Sequence, residues 1–171
     1  NFTKHGYEVW MEDYPGFGKS TGVRTEKKMF DQGLQLQKMA QGRYGKDSII
    51  IYGKSFGTGI AAYVAAGSNN QRLILETPYY SMDALAKHYF FIFPVVPMTK
   101  YSIPTHQYFE YISAPISIFH GTNDRVIPYK HAKRLTSQKN GTELITIVKG
   151  RHNNLNDFPL FHEKLDSLLQ Q

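Results

Sequence analysis

The sequence predicts an α/β fold: a mostly parallel, doubly wound sheet with helices on both faces. Three observations lead there. Short β-branched runs such as Ile49-Ile50-Ile51-Tyr52 lack polar alternation, as strands buried on both sides do. Helical segments lie between the runs. Small-residue and charged turns follow the ends of the runs, where doubly wound sheets carry their functional groups.

The elements follow in chain order. Tyr7-Glu8-Val9-Trp10-Met11-Glu12 reads as a strand, and Asp13-Tyr14-Pro15-Gly16-Phe17-Gly18-Lys19-Ser20 as a turn-rich loop bordering the site. Thr25 caps a helix reaching about Gln41, with Met29, Gly33, Leu36 and Ala40 on one face and Gly42 and Gly45 as stops. Residues 48–53 form a strand, and the small-residue segment after Gly57 an apolar, buried helix. Further buried strands are expected over 72–77, 115–120 and 143–148. Helices are expected over 128–138 and 157–169, the latter with Phe158, Phe161, Leu165, Leu168 and Leu169 on one face. Residues 78–114 break the alternation with four prolines and a dense aromatic set. They read either as a helical excursion on the sheet edge or as a small cap forming an apolar wall over the site, around Phe90-Phe91-Ile92-Phe93-Pro94-Val95-Val96-Pro97-Met98.

The totals narrow the function. With 171 residues the chain is one domain by length, long enough to bury roughly 70% of its unfolded surface. The net charge of +6 is spread along the chain, its densest groups being 19–28 and 130–134, which reads as a solvated surface and not as a nucleic-acid site. Without cysteine there is neither a disulfide nor a thiolate metal site. No cofactor or metal is expected, and oligomeric state stays open. The chain carries no signal-peptide pattern and no run of 18 apolar residues, so the cytoplasm is the default expectation.

Gly53-Lys54-Ser55-Phe56-Gly57 fits G-x-S-x-G between a strand and a helix. That sharp turn strains the serine backbone and pushes its hydroxyl out at the carboxyl end of the sheet, so Ser55 is the candidate nucleophile. Two overlapping motifs fail on register. Gly57-Thr58-Gly59-Ile60-Ala61-Ala62 matches the dinucleotide pattern, but its first glycine already opens the helix. Gly18-Lys19-Ser20 resembles the end of a phosphate loop, but Asp13 stands where its first glycine belongs.

A serine hydroxyl needs a base, and the base an orienting acid. Asp124 follows the strand ending at His120, and His152 follows the last strand, giving the chain order Ser, Asp, His. Each has alternatives. Glu76 and Asp157 also lie near strand ends, and Asp124 could merely cap a helix near Pro128. His120 reads as a hydrogen-bonded core residue, and His5, His88, His106, His131 and His162 as surface or cap residues.

Taken together, Gly53-Lys54-Ser55-Phe56-Gly57, His120-Gly121-Thr122-Asn123-Asp124-Arg125-Val126-Ile127-Pro128 and Gly150-Arg151-His152-Asn153 resemble the three site motifs of α/β-hydrolases. The 13–20 loop is similar to the one after that superfamily's fourth strand, and the nearest branch is the short-cap, serine-aminopeptidase-like hydrolases. The resemblance implies a cofactor-free serine hydrolase acting on a small or lipid-like ester, thioester or amide. Its site would be Ser55, His152 and Asp124, with the backbone N–H of Phe56 as one oxyanion donor. The alternative is a binding protein that keeps the fold without the chemistry. The superfamily's first three strands and the loop giving a second oxyanion donor have no counterpart. Together with the initial Asn1, this leads to the expectation that residues 1–171 are the carboxyl-terminal part of a longer hydrolase. The strands at 7–12 and 48–53 would then leave a gap, close by another pairing, or receive a strand from another molecule.

Overall fold

A computed structural model describes residues 2–90 and 101–170. Four parallel strands, β1 (Ile50–Lys54), β2 (Arg72–Glu76), β3 (Ile116–Gly121) and β4 (Glu143–Ile147), lie side by side in sequence order. Each corresponds to an expected run. Successive side chains of a strand point to opposite faces, and both faces are covered. Ile51, Leu73, Leu75, Ile116 and Ile118 pack with α1 (Glu26–Tyr44), α2 (Gly57–Ala66) and α5 (Lys130–Thr136). Ile74, Phe119, Ile145 and Ile147 pack with α6 (Pro159–Leu169), whose Phe161, Leu165, Leu168 and Leu169 are buried. This is the doubly wound arrangement that the unalternating runs require.

Local chemistry sets the helix ends. Thr25 accepts the Lys28 N–H at 3.2 Å and caps α1, which runs past Gly42 and stops at Gly45, where φ is 81°. Pro159 starts α6, two residues later than expected, because a 3-10 turn over Leu155–Asp157 comes first. Helix α2 carries apolar or small residues all round and is buried at seven positions.

Within 78–114 lie α3 (Met82–Tyr89), α4 (Thr105–Tyr108) and a 3-10 turn at Phe109–Tyr111. Ser81 caps α3 through the Ala84 N–H. Tyr79, Ile103, Phe109 and Ile112 are fully buried in the core that contains α2, so both ends of this segment are part of the main body. The apolar run from Phe90 to Met98 lies, apart from Phe90, outside the described residues.

Two expectations are corrected. Residues 7–12 are not a strand. A strand needs a ladder partner, and this segment makes no backbone pair with β1. It is held instead by side chains, with Tyr7 donating to the Leu169 carbonyl at 3.1 Å. Between it and β1 lies a cavity of about 420 Å³, walled by Trp10, Tyr14, Leu36, Ala40 and Ile51 among others. Of the three expected outcomes the structure has the gap. Leu36 and Ala40 on α1 face it and are only half-buried for that reason.

The second correction is His131, which is buried in α5 and not on the surface. Its Nδ1 accepts the Tyr80 N–H at 3.2 Å. Burial, aided by the charges of Lys130 and Arg134, pushes the imidazole down from 6.5 to about 4.

Backbone groups alternate sides along a parallel strand. Ser55 donates to the Glu76 carbonyl at 2.9 Å, so Ile51 and Gly53 face β2 while Ile50, Tyr52 and Lys54 turn theirs to the gap. By native-state hydrogen exchange, Ile50 and Tyr52 amides should exchange at least ~10-fold faster than Ile51 and Gly53. Uniform protection along β1 would show that the gap is closed in solution.

The His131 imidazole is neutral in the fold, whereas the unfolded chain protonates near pH 6.5. Its stabilising contribution is therefore full above 6.5 and lost as the pH falls towards 4. The loss amounts to about 1.4 kcal/mol per unit across that window. In His131→Gln, which keeps an acceptor for Tyr80, the melting temperature should fall less steeply with acid. Parallel Tm–pH curves would overturn this.

Candidate active site

The site is built on the β1–α2 turn. Ser55 has φ 50°, a left-handed conformation that costs a non-glycine residue energy. It is over-determined from several directions. Its N–H donates to the Glu76 carbonyl of the neighbouring strand, and its carbonyl accepts both the N–H and the hydroxyl of Thr58, at 3.0 and 2.6 Å. Gly53 allows α2 to close over the strand, because a Cβ there would stand 2.6 Å from the Ala61 methyl. Phe56 follows at the start of α2 with its carbonyl accepting the Tyr79 hydroxyl at 3.1 Å. Its own N–H has no acceptor among the described residues.

Two further loops converge on Ser55. The loop after β3 carries Asp124, and the loop after β4 carries His152. They are clasped together: Asn123 donates to the Gly150 carbonyl, and Lys149 to the Thr122 hydroxyl, each at 2.9 Å. The approach is tight enough that a Cβ on Gly121 would sit 2.2 Å from the Gly150 oxygen. His152 Nε2 lies 2.8 Å from Ser55 Oγ, and His152 Nδ1 lies 2.8 Å from Asp124 Oδ2. The sequence-expected Ser55, Asp124 and His152 therefore meet, although up to 97 residues separate them. Asp124 closes the turn before Pro128 as well as meeting His152, while α5 itself starts at Lys130 without a side-chain cap.

Asp124 is buried and surrounded by donors. Oδ1 accepts the N–H groups of Val126 and Ile127, each at 2.8 Å. Burial pushes the carboxyl up, but hydrogen bonds from His120, His152, Ile127 and Val126 outweigh it and hold it well below the usual carboxylate range. An ionised Asp124 can only accept, so His152 donates from Nδ1 and turns the Nε2 lone pair to the Ser55 hydroxyl.

His120 is fully buried, as expected, but it does more than fill the core. Its Nε2 donates to the Ile127 carbonyl at 2.8 Å and stands 3.4 Å from Asp124 Oδ2. Glu76, the rival acid, is turned elsewhere: its carboxylate meets the Lys54 ammonium at 2.7 Å and the Tyr52 hydroxyl. Asp157 lies in the 3-10 turn before α6.

Beside Ser55 opens a cavity of about 480 Å³, lined by Asp13, Tyr14, Phe17, Lys54, Ser55 and Phe56 among others. The 13–20 loop therefore borders the site as expected. Asp13 holds the loop, its carboxylate accepting the Lys19 N–H at 3.0 Å. The Phe56 ring meets Tyr14 and Tyr101 edge-on. Among the described residues no group of three or more metal-ligating side chains exists, and no helix is long and apolar enough to cross a membrane.

The chain is similar to known proteins. The human "Alpha/beta hydrolase domain-containing protein 17B" is 28% identical over 168 residues, covering 95% of this chain and 56% of that protein. The zebrafish (Danio rerio) "Lysophosphatidylserine lipase ABHD12" is 28% identical over 148 residues, 76% of this chain and 39% of its own length. The chain thus spans about half or less of the curated relatives it matches. The Pyrococcus furiosus esterase Pf2001 superposes with a TM-score of 0.76 at 21% identity, over 98% of this chain and 71% of the esterase, which establishes a shared fold. The family model described as "Serine aminopeptidase, S33" matches residues 1–108. That match includes the strand, the Ser55 turn and helix α2, and the chain belongs to this serine-aminopeptidase-like family of α/β-hydrolases.

Proposed function

We propose that the chain is the catalytic part of a serine hydrolase that cleaves carboxylic esters or thioesters through a Ser55–His152–Asp124 triad. The observation that carries this reading is the unbroken hydrogen-bonded line from Asp124 through His152 to Ser55, with 2.8 Å at each link. The strained serine at its end borders a cavity. Amide cleavage uses the same chemistry. Esters are favoured because the relative and the structural neighbour are named a lipase and an esterase.

In the proposed reaction Ser55 Oγ attacks the acyl carbonyl carbon while His152 Nε2 takes the hydroxyl proton. Asp124 stays ionised, holds the imidazole in the tautomer it needs and stabilises the imidazolium. The carbonyl oxygen becomes an oxyanion, towards which the free Phe56 N–H at the start of α2 donates. Collapse of this intermediate expels the alcohol or thiol, which takes its proton from His152. Water, deprotonated by the same imidazole, then attacks the acyl-serine and releases the acid. No step requires a cofactor.

The reading predicts that a fluorophosphonate probe labels Ser55, and that Ser55→Ala and His152→Ala each lower turnover by ~10⁶. Asp124→Asn should lose about 10⁴, because it spoils orientation and tautomer rather than the reacting atoms. Near-wild-type turnover in Ser55→Ala would end the proposal, and a larger loss in Glu76→Gln than in Asp124→Asn would reassign the acid. Tyr14, Phe17 and Phe56 make the cavity aromatic, so kcat/KM should rise from acetyl towards octanoyl esters. The gain should reach up to ~0.8 kcal/mol per buried methylene. A flat or falling series would place the acyl chain elsewhere.

A further inference from the structure

The chain's cations are scattered along the sequence, but the fold gathers five of them. Lys87 ends α3, Arg125 follows Asp124 in the loop after β3, and Lys130, Lys133 and Arg134 share one face of α5. All five are exposed. The three elements are joined directly. Lys130 Nζ lies 3.0 Å from His88 Nδ1, and the Tyr89 hydroxyl donates to the carbonyls of Arg125 and Val126 at 2.5 and 2.8 Å. The Arg134 guanidinium lies 3.7 Å over the Tyr80 ring. Apart from Asp124, which is buried in the site, the one carboxylate on α3, this loop and α5 is Asp83, which accepts the Ser102 hydroxyl.

Large apolar side chains stand among these cations. Tyr89, Phe90 and Val126 are 48%, 55% and 51% exposed. Cations interleaved with exposed aromatic and aliphatic groups form the composition of a surface that meets lipid headgroups, where the rings sit at headgroup level and the ammonium groups pair with phosphates. Single-sign charge adds long-range attraction to an anionic leaflet.

We propose that the face formed by α3, the Arg125–Val126 loop and α5 docks on an anionic lipid bilayer. Lys87, Arg125, Lys130 and Lys133 contact headgroup phosphates, and Tyr89, Phe90 and Val126 enter the interface. Arg125 and Val126 are the residues immediately after Asp124 in the chain. The docking does not depend on the hydrolytic reading, and binding is measured without turnover.

The experiment is co-sedimentation of the purified protein with phosphatidylcholine vesicles, with and without phosphatidylserine. Binding should require phosphatidylserine and weaken as salt shortens the Debye length. Each neutralised cation should cost about 5-fold in partition coefficient, so Lys87→Gln/Lys130→Gln/Lys133→Gln should bind on the order of 100-fold more weakly. Phe90→Ser should weaken binding without changing its salt dependence. Both variants should keep wild-type thermal stability, and the triple variant should keep wild-type hydrolysis of a soluble short-chain ester, since Lys87, Lys130 and Lys133 are exposed and lie away from Ser55 and its cavity. Three results would overturn the proposal: equal binding to neutral vesicles, unchanged binding of the triple variant, or a Phe90→Ser protein that binds normally and is displaced by polyphosphate. The last would make the face a general polyanion surface.

Discussion

The rest of the site depends on one backbone conformation. Ser55 sits at φ 50°, and a left-handed serine persists only where its surroundings leave it no alternative. Here the constraint is supplied by the sheet and the helix together. The Glu76 carbonyl takes the serine N–H, Thr58 takes the serine carbonyl, and the bare Gly53 lets α2 lie close enough to do so. Glu76 is the last residue of β2, so the position of Ser55 is tied to strand pairing and not to the turn alone. The outcome is a hydroxyl presented at a strand end with a helix N-terminus behind it, where developing negative charge is stabilised.

The second half of the site is organised by another close contact. The loops after β3 and β4 are pressed together at Gly121 and Gly150, and hydrogen bonds between them fix Asp124 relative to His152. A buried carboxylate is costly unless well paired. Asp124 has two backbone donors, His152 and, at longer range, His120. These contacts explain why it remains ionised despite its burial, and an ionised acid is what the neighbouring imidazole needs. Lys54 and Tyr52 meet the carboxylate of Glu76, a second buried acid on the strand beside Ser55.

The sheet is less evenly supported than the site. β2 and β3 have a neighbour on each side, whereas β1 has β2 on one side and a cavity on the other. The strand that leads into Ser55 is therefore an open edge along part of its length, and open edges are where sheets take up further strands. Its connection to the site runs through Ile50, Tyr52 and Lys54, whose backbone groups face the gap while Ser55 faces β2.

Much of this was legible in the residues alone. The four strands, both long flanking helices, and the meeting of Ser55, Asp124 and His152 follow from local pattern: β-branched runs, helical periodicity, and a G-x-S-x-G turn, an Asp and a His each placed after a strand. Such features are read within a window of a dozen residues, and the chain order supplies the rest. Residues 7–12 have the look of a strand, but a strand is a relation between two segments, and no pattern within one segment shows whether its partner is there. His131 sits in a helix with cations on both sides, and only the packing of α5 against the sheet decides that its ring is inside. The same holds for Glu76 and Asp124, since only the fold shows which of the two meets His152. It holds too for the cations of α3, α5 and the Asp124 loop, which lie up to 47 positions apart and become one face through contacts such as His88 with Lys130. Local sequence determined which residues are candidates for the chemistry. Long-range packing decided which of them meet, because burial and hydrogen-bond partnership are properties of neighbours in space.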